Sequence, residues 1–216
     1  MNNAAQLLIA TTNPDKAGEV SRILAATLEE ELHRVTILNL TNLPWQDPPE
    51  EDGGSYEANA RIKARAAVRR LPTAACLADD SGIEVAAFGG RPGIHSARWG
   101  AEEKGQRLSA LELNRLLLEQ MRQVPAGARM AQMVTVVVLR LPSGIEYIGH
   151  GSVSGSIAMD IAGSEGFGFD SIFLLPDGRR LSQVSASVKD SVSHRGAAVR
   201  MVAPYVAAWV RSVGRP

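Results

Sequence analysis

The sequence predicts an α/β protein with a mixed sheet, on three observations. Strand-like and helix-like segments alternate through the first half of the chain, and two strand-like segments then flank a Pro-Ser-Gly turn, as in a hairpin. Hydrophobic residues make up 45% and charged residues 21% of 216 positions, enough apolar content for one sizeable core.

The elements follow in order. Residues 6–11 are a short apolar run, after which come Thr12-Asn13-Pro14-Asp15-Lys16 and then Val20, Ile23, Leu24 and Leu28 at helical spacing. Asn13 is a good N-cap and Pro14 suits the first helical position, so the segment reads strand, tight turn, helix. Residues 35–40 read as a second strand, and 41–54, rich in Pro, Asp, Glu and Gly, as loop. Residues 55–71 carry helical spacing, with Pro72 marking their end. An apolar strand at 74–78 runs into Asp79-Asp80-Ser81-Gly82, with 83–85 as its continuation. A loop at 89–100 precedes a leucine-rich helix at 108–121. Residues 129–141 and 146–153 form the hairpin, and a glycine-rich segment at 163–168 leads into 169–175. The last helix begins near Ser193 and is expected to kink or break before Pro204. No internal repeat or low-complexity segment interrupts this order.

Charge and cysteine content narrow the function. Lys plus Arg equals Asp plus Glu, at 23 each, so no global basic field points to nucleic acid. A polyanion must be gripped by a local cluster of cations, which favours a small phosphorylated molecule. Cys76 is the single cysteine, which excludes an intramolecular disulfide and a cysteine-based zinc site; a small buried hydrophobe is its expected role. The N-terminus lacks the basic and long apolar regions of a secretory signal, and the longest apolar run, around 133–139, is far shorter than the ~20 residues of a membrane span. The expected compartment is the cytosol, with no membrane partner.

Five segments carry chemistry, each with a plainer alternative. Thr11, Thr12, Asn13 and Lys16 surround a helix N-terminus, whose unpaired N–H groups suit phosphate; a capped helix with Asp15 and Lys16 in solvent is the alternative. Asp79 and Asp80 end a buried strand, where carboxylates need cations or donors. Such hard oxygen ligands suit Mg²⁺, and strand geometry aims the two side chains to opposite faces; a turn capped by Asp is the alternative. Glu50-Glu51-Asp52 offers further carboxylates, although acidic loops are usually just solvated. Phe167-Gly168-Phe169-Asp170 combines aromatic faces, a permissive backbone and a carboxylate, suited to stacking on a nucleobase or else to a core strand. Lys189, Ser193, His194 and Arg195 offer donors to an acceptor-rich ligand, or form the start of an N-capped surface helix.

Five motifs occur in sequence: Ala10-Thr11-Thr12-Asn13-Pro14-Asp15-Lys16, Ala78-Asp79-Asp80-Ser81-Gly82, Gly89-Gly90-Arg91-Pro92-Gly93-Ile94-His95-Ser96-Ala97-Arg98, Gly166-Phe167-Gly168-Phe169-Asp170 and Ser193-His194-Arg195-Gly196. In that order, across about residues 7–202, they resemble the inosine triphosphate pyrophosphatase family, which cleaves non-standard purine nucleoside triphosphates to monophosphate and pyrophosphate. The resemblance implies a single domain over 1–216, an elongated mixed sheet flanked by helices, two lobes with a central cleft, and a homodimer. It implies Mg²⁺ as cofactor, Asp80 as general base and metal ligand, and Glu50 as the other metal-binding acid. It also implies that Thr11, Thr12, Asn13, Lys16 and Lys63 hold phosphate, that Ser81 touches substrate beside the base, and that Phe167, Gly168, Phe169, Asp170, Lys189, His194 and Arg195 receive the purine.

Three positions depart from that family's usual pattern. Ser171 stands where proline is common, Val188 where an acid often precedes the lysine, and Ala58 where Glu often precedes Asn59. Two of these border the base pocket, which leaves two further readings open: a pyrophosphatase for pyrimidine or modified triphosphates, and a catalytically silent nucleotide-binding protein.

Overall fold

The computed structural model describes residues 4–40, 48–100 and 108–213. Positions 41–47 of the expected loop at 41–54 therefore lie outside the described residues. A six-stranded sheet has the order β2-β1-β3-β4-β5-β6, with β1 at Ala5–Ile9, β2 at Val35–Asn39, β3 at Ala75–Val85, β4 at Met130–Arg140, β5 at Glu146–Ile157 and β6 at Phe173–Leu174. β1 runs parallel to β2 and β3, whereas β6 runs antiparallel to β5, so the sheet is mixed as expected. Among the described residues five α-helices accompany it: α1 (Pro14–Thr27), α2 (Tyr56–Arg70), α3 (Ala110–Gln120), α4 (Ala186–Val192) and α5 (His194–Ser212).

α1 to α4 start where a side chain satisfies the first N–H groups. The Asn13 side chain accepts from the N–H groups of Asp15 and Lys16, with proline at the first helical position of α1. Ser55 caps α2, Ser185 caps α4, and Ser109 with Glu112 forms a reciprocal capping box on α3.

The chain forms two compact units. The first comprises Met1–Asp80, Thr135–Gly151 and Arg195–Pro216, and the second Ser81–Val134 and Ser152–His194. Within the first, strand alternation sorts the core into two layers. Leu7, Ile9, Ala75, Leu77, Val137 and Leu139 pack with Val20, Ile23 and Leu24 of α1 and Val199, Val202 and Val206 of α5. Leu8, Ala10, Cys76, Ala78 and Val138 pack instead with Ala60, Ala64 and Ala67 of α2, whose small side chains let the helix lie close to the sheet. Cys76 sits inside this layer, where burial pushes its thiol well above the usual range, as befits a small hydrophobe.

The second unit is built around Ile83, Val85, Leu113, Leu117, Met121, Met133, Ile157 and Phe173. Arg129, 2% exposed, lies within it and donates to four carbonyls: Met121 at 2.8 Å, Val124 at 3.2 Å, Ile157 at 2.9 Å and Ala158 at 2.8 Å.

β3 runs unbroken through Asp79-Asp80-Ser81-Gly82 into the continuation expected at 83–85. Two points differ from the sequence reading. The last helix does not end before Pro204: α5 continues through it to Ser212. The proline removes one intrahelical bond, while Val199, Val202, Ala203, Val206 and Val210 on the buried face hold the helix on both sides of it. The segment before Ser193, read only as donors preceding the helix, contains the short helix α4.

Candidate functional site

The first unit gathers charge at the end of the parallel strands. β3 presents Asp79 on the face of α1 and α5, and Asp80 on the face of α2, by the same alternation that sorts the core. Asp79 Oδ2 accepts from Lys16 Nζ at 3.0 Å and from Arg195 Nε at 3.3 Å. Arg195 Nη1 also donates to Glu19 Oε2 at 2.8 Å. Lys16 and Glu19 stand three residues apart on α1, which places them on one helix face. The Lys16 side chain is one-fifth exposed, whereas those of Asp79, Arg195 and Glu19 are all 3% exposed or less. The cluster thus has one partly open cation on a closed base.

Asp80 has different partners. Its Oδ1 accepts from Lys63 Nζ at 3.1 Å, its Oδ2 from Asn59 Nδ2 at 3.1 Å, and its backbone carbonyl from Thr135 Oγ1 at 2.9 Å. Lys63 also donates to Glu51 Oε2 at 3.0 Å, so two carboxylates converge on one ammonium. Asn59 ties the acidic loop to this pair, because its Oδ1 accepts from Gly53 N at 2.8 Å. Glycine is required at 53: a Cβ there would lie 2.7 Å from that oxygen and 2.8 Å from the Ala58 Cβ.

These environments drive the neighbouring carboxyls apart. Burial alone would raise Asp79, but the Lys16, Arg195 and Lys63 cations outweigh it and hold Asp79 well below the usual carboxylate range. Burial prevails at Asp80, which is raised despite the opposing pull of Lys63, Asn59 and Lys16. Lys16 is lowered by burial, with Arg195 and Lys63 adding to the effect and Asp79 countering it. Burial likewise opposes the charge on Lys63, but Asp80, Asp79 and Glu51 raise it. One acid is locked as an anion and its neighbour is a better proton acceptor, a division typical of groups with separate chemical roles.

The second unit holds the aromatic segment. Phe167 N donates to Asp170 Oδ2 at 2.7 Å, and Lys189 Nζ, from α4, pairs with the same oxygen. The Lys189 ammonium lies 4.2 Å from the centroid of the Phe167 ring, so the ring and the cation are held by one carboxylate. Gly166 adopts φ +78°, and a Cβ there would come within 2.2 Å of Asp170 Oδ2.

The sequence-derived residues fall as follows. Lys16, Lys63, Asp80 and Arg195 gather in the first cluster, where Asn13 caps α1 and Thr11 Oγ1 accepts from Asn13 N at 3.2 Å. Thr12 and Glu50 are exposed, and Glu51 rather than Glu50 meets Lys63. Phe167, Asp170 and Lys189 form the second cluster, with Gly168 and Phe169 in the same turn. Ser81 is half-buried, and His194 is buried as the first residue of α5. Arg195, which the resemblance implies for the purine, donates through Nε and Nη1 to Asp79 and Glu19. Glu19 and Asn59 carry no expected role, and Asp79 and Glu51 enter only as members of the Asp79-Asp80 and Glu50-Glu51-Asp52 segments. The Lys16–Glu19 spacing and the Asp79-Asp80 doublet were signals for two of them. Among the described residues, no group of three or more His, Cys, Asp or Glu side chains is placed to hold a metal ion.

The fold and these clusters define an α/β protein with paired lysines and carboxylates closing the end of its parallel strands. The chain belongs to the Ham1 family, whose model matches residues 7–205. It is 40% identical over 200 residues to a dITP/XTP pyrophosphatase of Corynebacterium glutamicum, covering 90% of this chain and 93% of that protein. The solved dITP/XTP pyrophosphatase of Mycobacterium abscessus is 38% identical, with a TM-score of 0.69 over 93% of this chain and 99% of that one. The Ham1 protein of Staphylococcus aureus is 30% identical, with a TM-score of 0.76 over 94% of this chain and 99% of that one.

Proposed function

We propose that this chain hydrolyses the non-standard purine nucleoside triphosphates ITP, dITP and XTP to nucleoside monophosphate and pyrophosphate, with Mg²⁺ as cofactor. The observation that carries the reading is Asp80: a carboxyl raised by burial, fixed by Asn59 and Lys63, beside a second carboxylate on the same lysine.

Asp80 takes the proton of a water whose oxygen attacks the α-phosphorus. The bond from that phosphorus to the bridging oxygen breaks, and pyrophosphate leaves with the electron pair. Lys16 and the N-terminus of α1, with Thr11, Thr12 and Asn13, neutralise phosphate oxygens, and Lys63 adds a second cation. Asp79 and Arg195 keep Lys16 in place. The convergence of Glu51 and Asp80 on one ammonium supports these residues, with Glu50 on the same loop, as the holders of a hard divalent cation. Mg²⁺ bound there supplies charge neutralisation to the triphosphate and acidity to the attacking water.

The base falls to Phe167–Asp170, Lys189 and His194, with Ser81 contacting substrate beside Asp80. Inosine and xanthosine present an acceptor at the 6-position, where adenine presents an amino donor. Side chains that donate therefore accept the first two and leave adenine unpaired, a mismatch that can reach ~10⁴-fold at a site built around a polar group.

The test is pyrophosphate release across ITP, XTP, dITP, GTP, ATP and UTP in the presence of Mg²⁺. ITP and XTP turn over far faster than ATP; equal rates on all six would overturn the specificity. The same reading expects a homodimer in the cytosol. Among the described residues no helix is long and apolar enough to cross a membrane.

A further inference from the structure

Asn114 is a polar residue in the wrong place for a helix that exists to pack. It lies on α3 between the core leucines Leu113 and Leu117, 2% exposed, where asparagine is a poor helix former and leucine or alanine would fill the space at no polar cost. Its Nδ2 donates to the carbonyl of Gly168 at 2.9 Å and to Ser171 Oγ at 2.8 Å. Its Oδ1 is buried and has no hydrogen-bond partner among the described residues. A buried acceptor left unmade is destabilising, so the side chain carries a cost that its two donated bonds must offset.

Those two bonds have a common target. Gly168 and Ser171 bracket the turn that contains Phe169 and Asp170. Asp170 is fixed within that turn by Phe167 N, Lys189 and the Ser182 N–H. The Ser171 carbonyl accepts from Ala162 N at 3.1 Å and Arg180 Nη1 at 2.9 Å. The Gly168 carbonyl and the Ser171 hydroxyl are held from α3.

We infer that Asn114 is a positioning residue for the base-contacting turn at 167–171, and that its bonds to Gly168 and Ser171 hold that turn rigid. This rests on the assignment of that turn to the purine. Asn114 touches no substrate; it sets where Phe167 and the donors around Asp170 stand. Loosening it therefore weakens binding of the preferred base and leaves the attack on phosphorus, carried by the first unit, close to its original rate.

Steady-state pyrophosphate release from ITP and ATP is measured for the wild type, Asn114→Ala, Ser171→Ala, Ser171→Pro and the Asn114→Ala/Ser171→Pro double variant. Asn114→Ala raises KM for ITP by roughly tenfold, with a much smaller change in kcat, and narrows the preference of ITP over ATP. Ser171→Ala, which removes one of the two bonds and leaves α3 intact, gives a smaller shift in the same direction. The proline restores KM in the Asn114→Ala background. A wild type that treats ITP and ATP alike would overturn the assignment of the turn itself. A wild type that discriminates, alongside folded Asn114→Ala and Ser171→Ala proteins with unchanged KM and preference, would overturn only the role of Asn114. A double variant no better than Asn114→Ala would overturn backbone rigidity as what Asn114 supplies.

Discussion

Asp79 and Asp80 are consecutive on β3, yet they bind separate sets of partners: Asp79 accepts from Lys16 and Arg195, and Asp80 from Lys63 and Asn59. The strand's period of two makes this possible, since adjacent side chains leave on opposite faces. It also lets one carboxyl be lowered and the next raised within a single peptide unit.

Asp79 should therefore contribute stability with a defined pH dependence. Its folded value lies below its ordinary value of 3.8, so the contribution is complete above that value and is lost as the pH falls beneath it toward the folded value. Asp79→Asn replaces the anion shared by Lys16 and Arg195 with a neutral amide and is expected to cost about 3–5 kcal/mol at neutral pH. In urea unfolding with EDTA present, the gap between wild type and Asp79→Asn stays constant from pH 7 to about 5 and narrows below pH 4. A gap independent of pH down to 3 would show that the charge on Asp79 is not what stabilises the cluster.

Asp80→Asn tests the chemistry rather than the fold. The amide keeps the size of the carboxyl, and Lys63 retains Glu51 as a partner. Unfolding midpoints should move little, while kcat for ITP falls by about 10²–10⁴-fold, the range general base catalysis supplies. Turnover within a factor of a few of wild type would remove Asp80 from the proton transfer.

What the sequence made legible follows from local rules. The N-cap at Asn13, the alternation at Asp79-Asp80 and the helix at 55–71 depend on residues within a turn or two of each other, and each is found where expected. The partnerships are another matter. Arg195 meets Asp79 across 116 positions and Lys16 meets it across 63, distances over which no periodicity specifies a contact. A guanidinium beside His194 suits a reader of the base, and nothing in its sequence neighbourhood points to Asp79 or Glu19. Packing of α5 on the sheet brings its Nε and Nη1 to those two carboxylates. Asn114 was hidden for a similar reason: in a leucine-rich helix, one asparagine reads as surface until the face it occupies is known.

Glu50 and Glu51 are adjacent in the acidic loop, but only Glu51 shares an ammonium with Asp80. If these carboxylates hold Mg²⁺, removing charge at 51 should matter more than at 50. Glu51→Gln is expected to raise the Mg²⁺ concentration giving half-maximal pyrophosphate release by tenfold or more, and Glu50→Gln by no more than about twofold. A larger shift for Glu50→Gln would return the second metal ligand to position 50 and leave Glu51 as a partner of Lys63 alone.

Arg129 gives the last prediction, because it is a buried cation held by dipoles rather than by an acid. Its guanidinium donates to the carbonyls of Met121, Val124, Ile157 and Ala158, joining the end of α3 and the segment after it to the end of β5. Burial lowers the pKa of the group, yet guanidinium starts so high that it stays charged, so four oriented carbonyls must stand in for water. Lysine cannot copy this: its ammonium has three donors on one atom and cannot span acceptors arranged around a planar fork. Both Arg129→Lys and Arg129→Met should destabilise the protein, by about 2–4 kcal/mol, with methionine no worse than lysine because it leaves no unpaired charge behind. Urea unfolding of the two variants measures this. A lysine variant as stable as wild type would mean that charge alone, without the fork, is sufficient at this position.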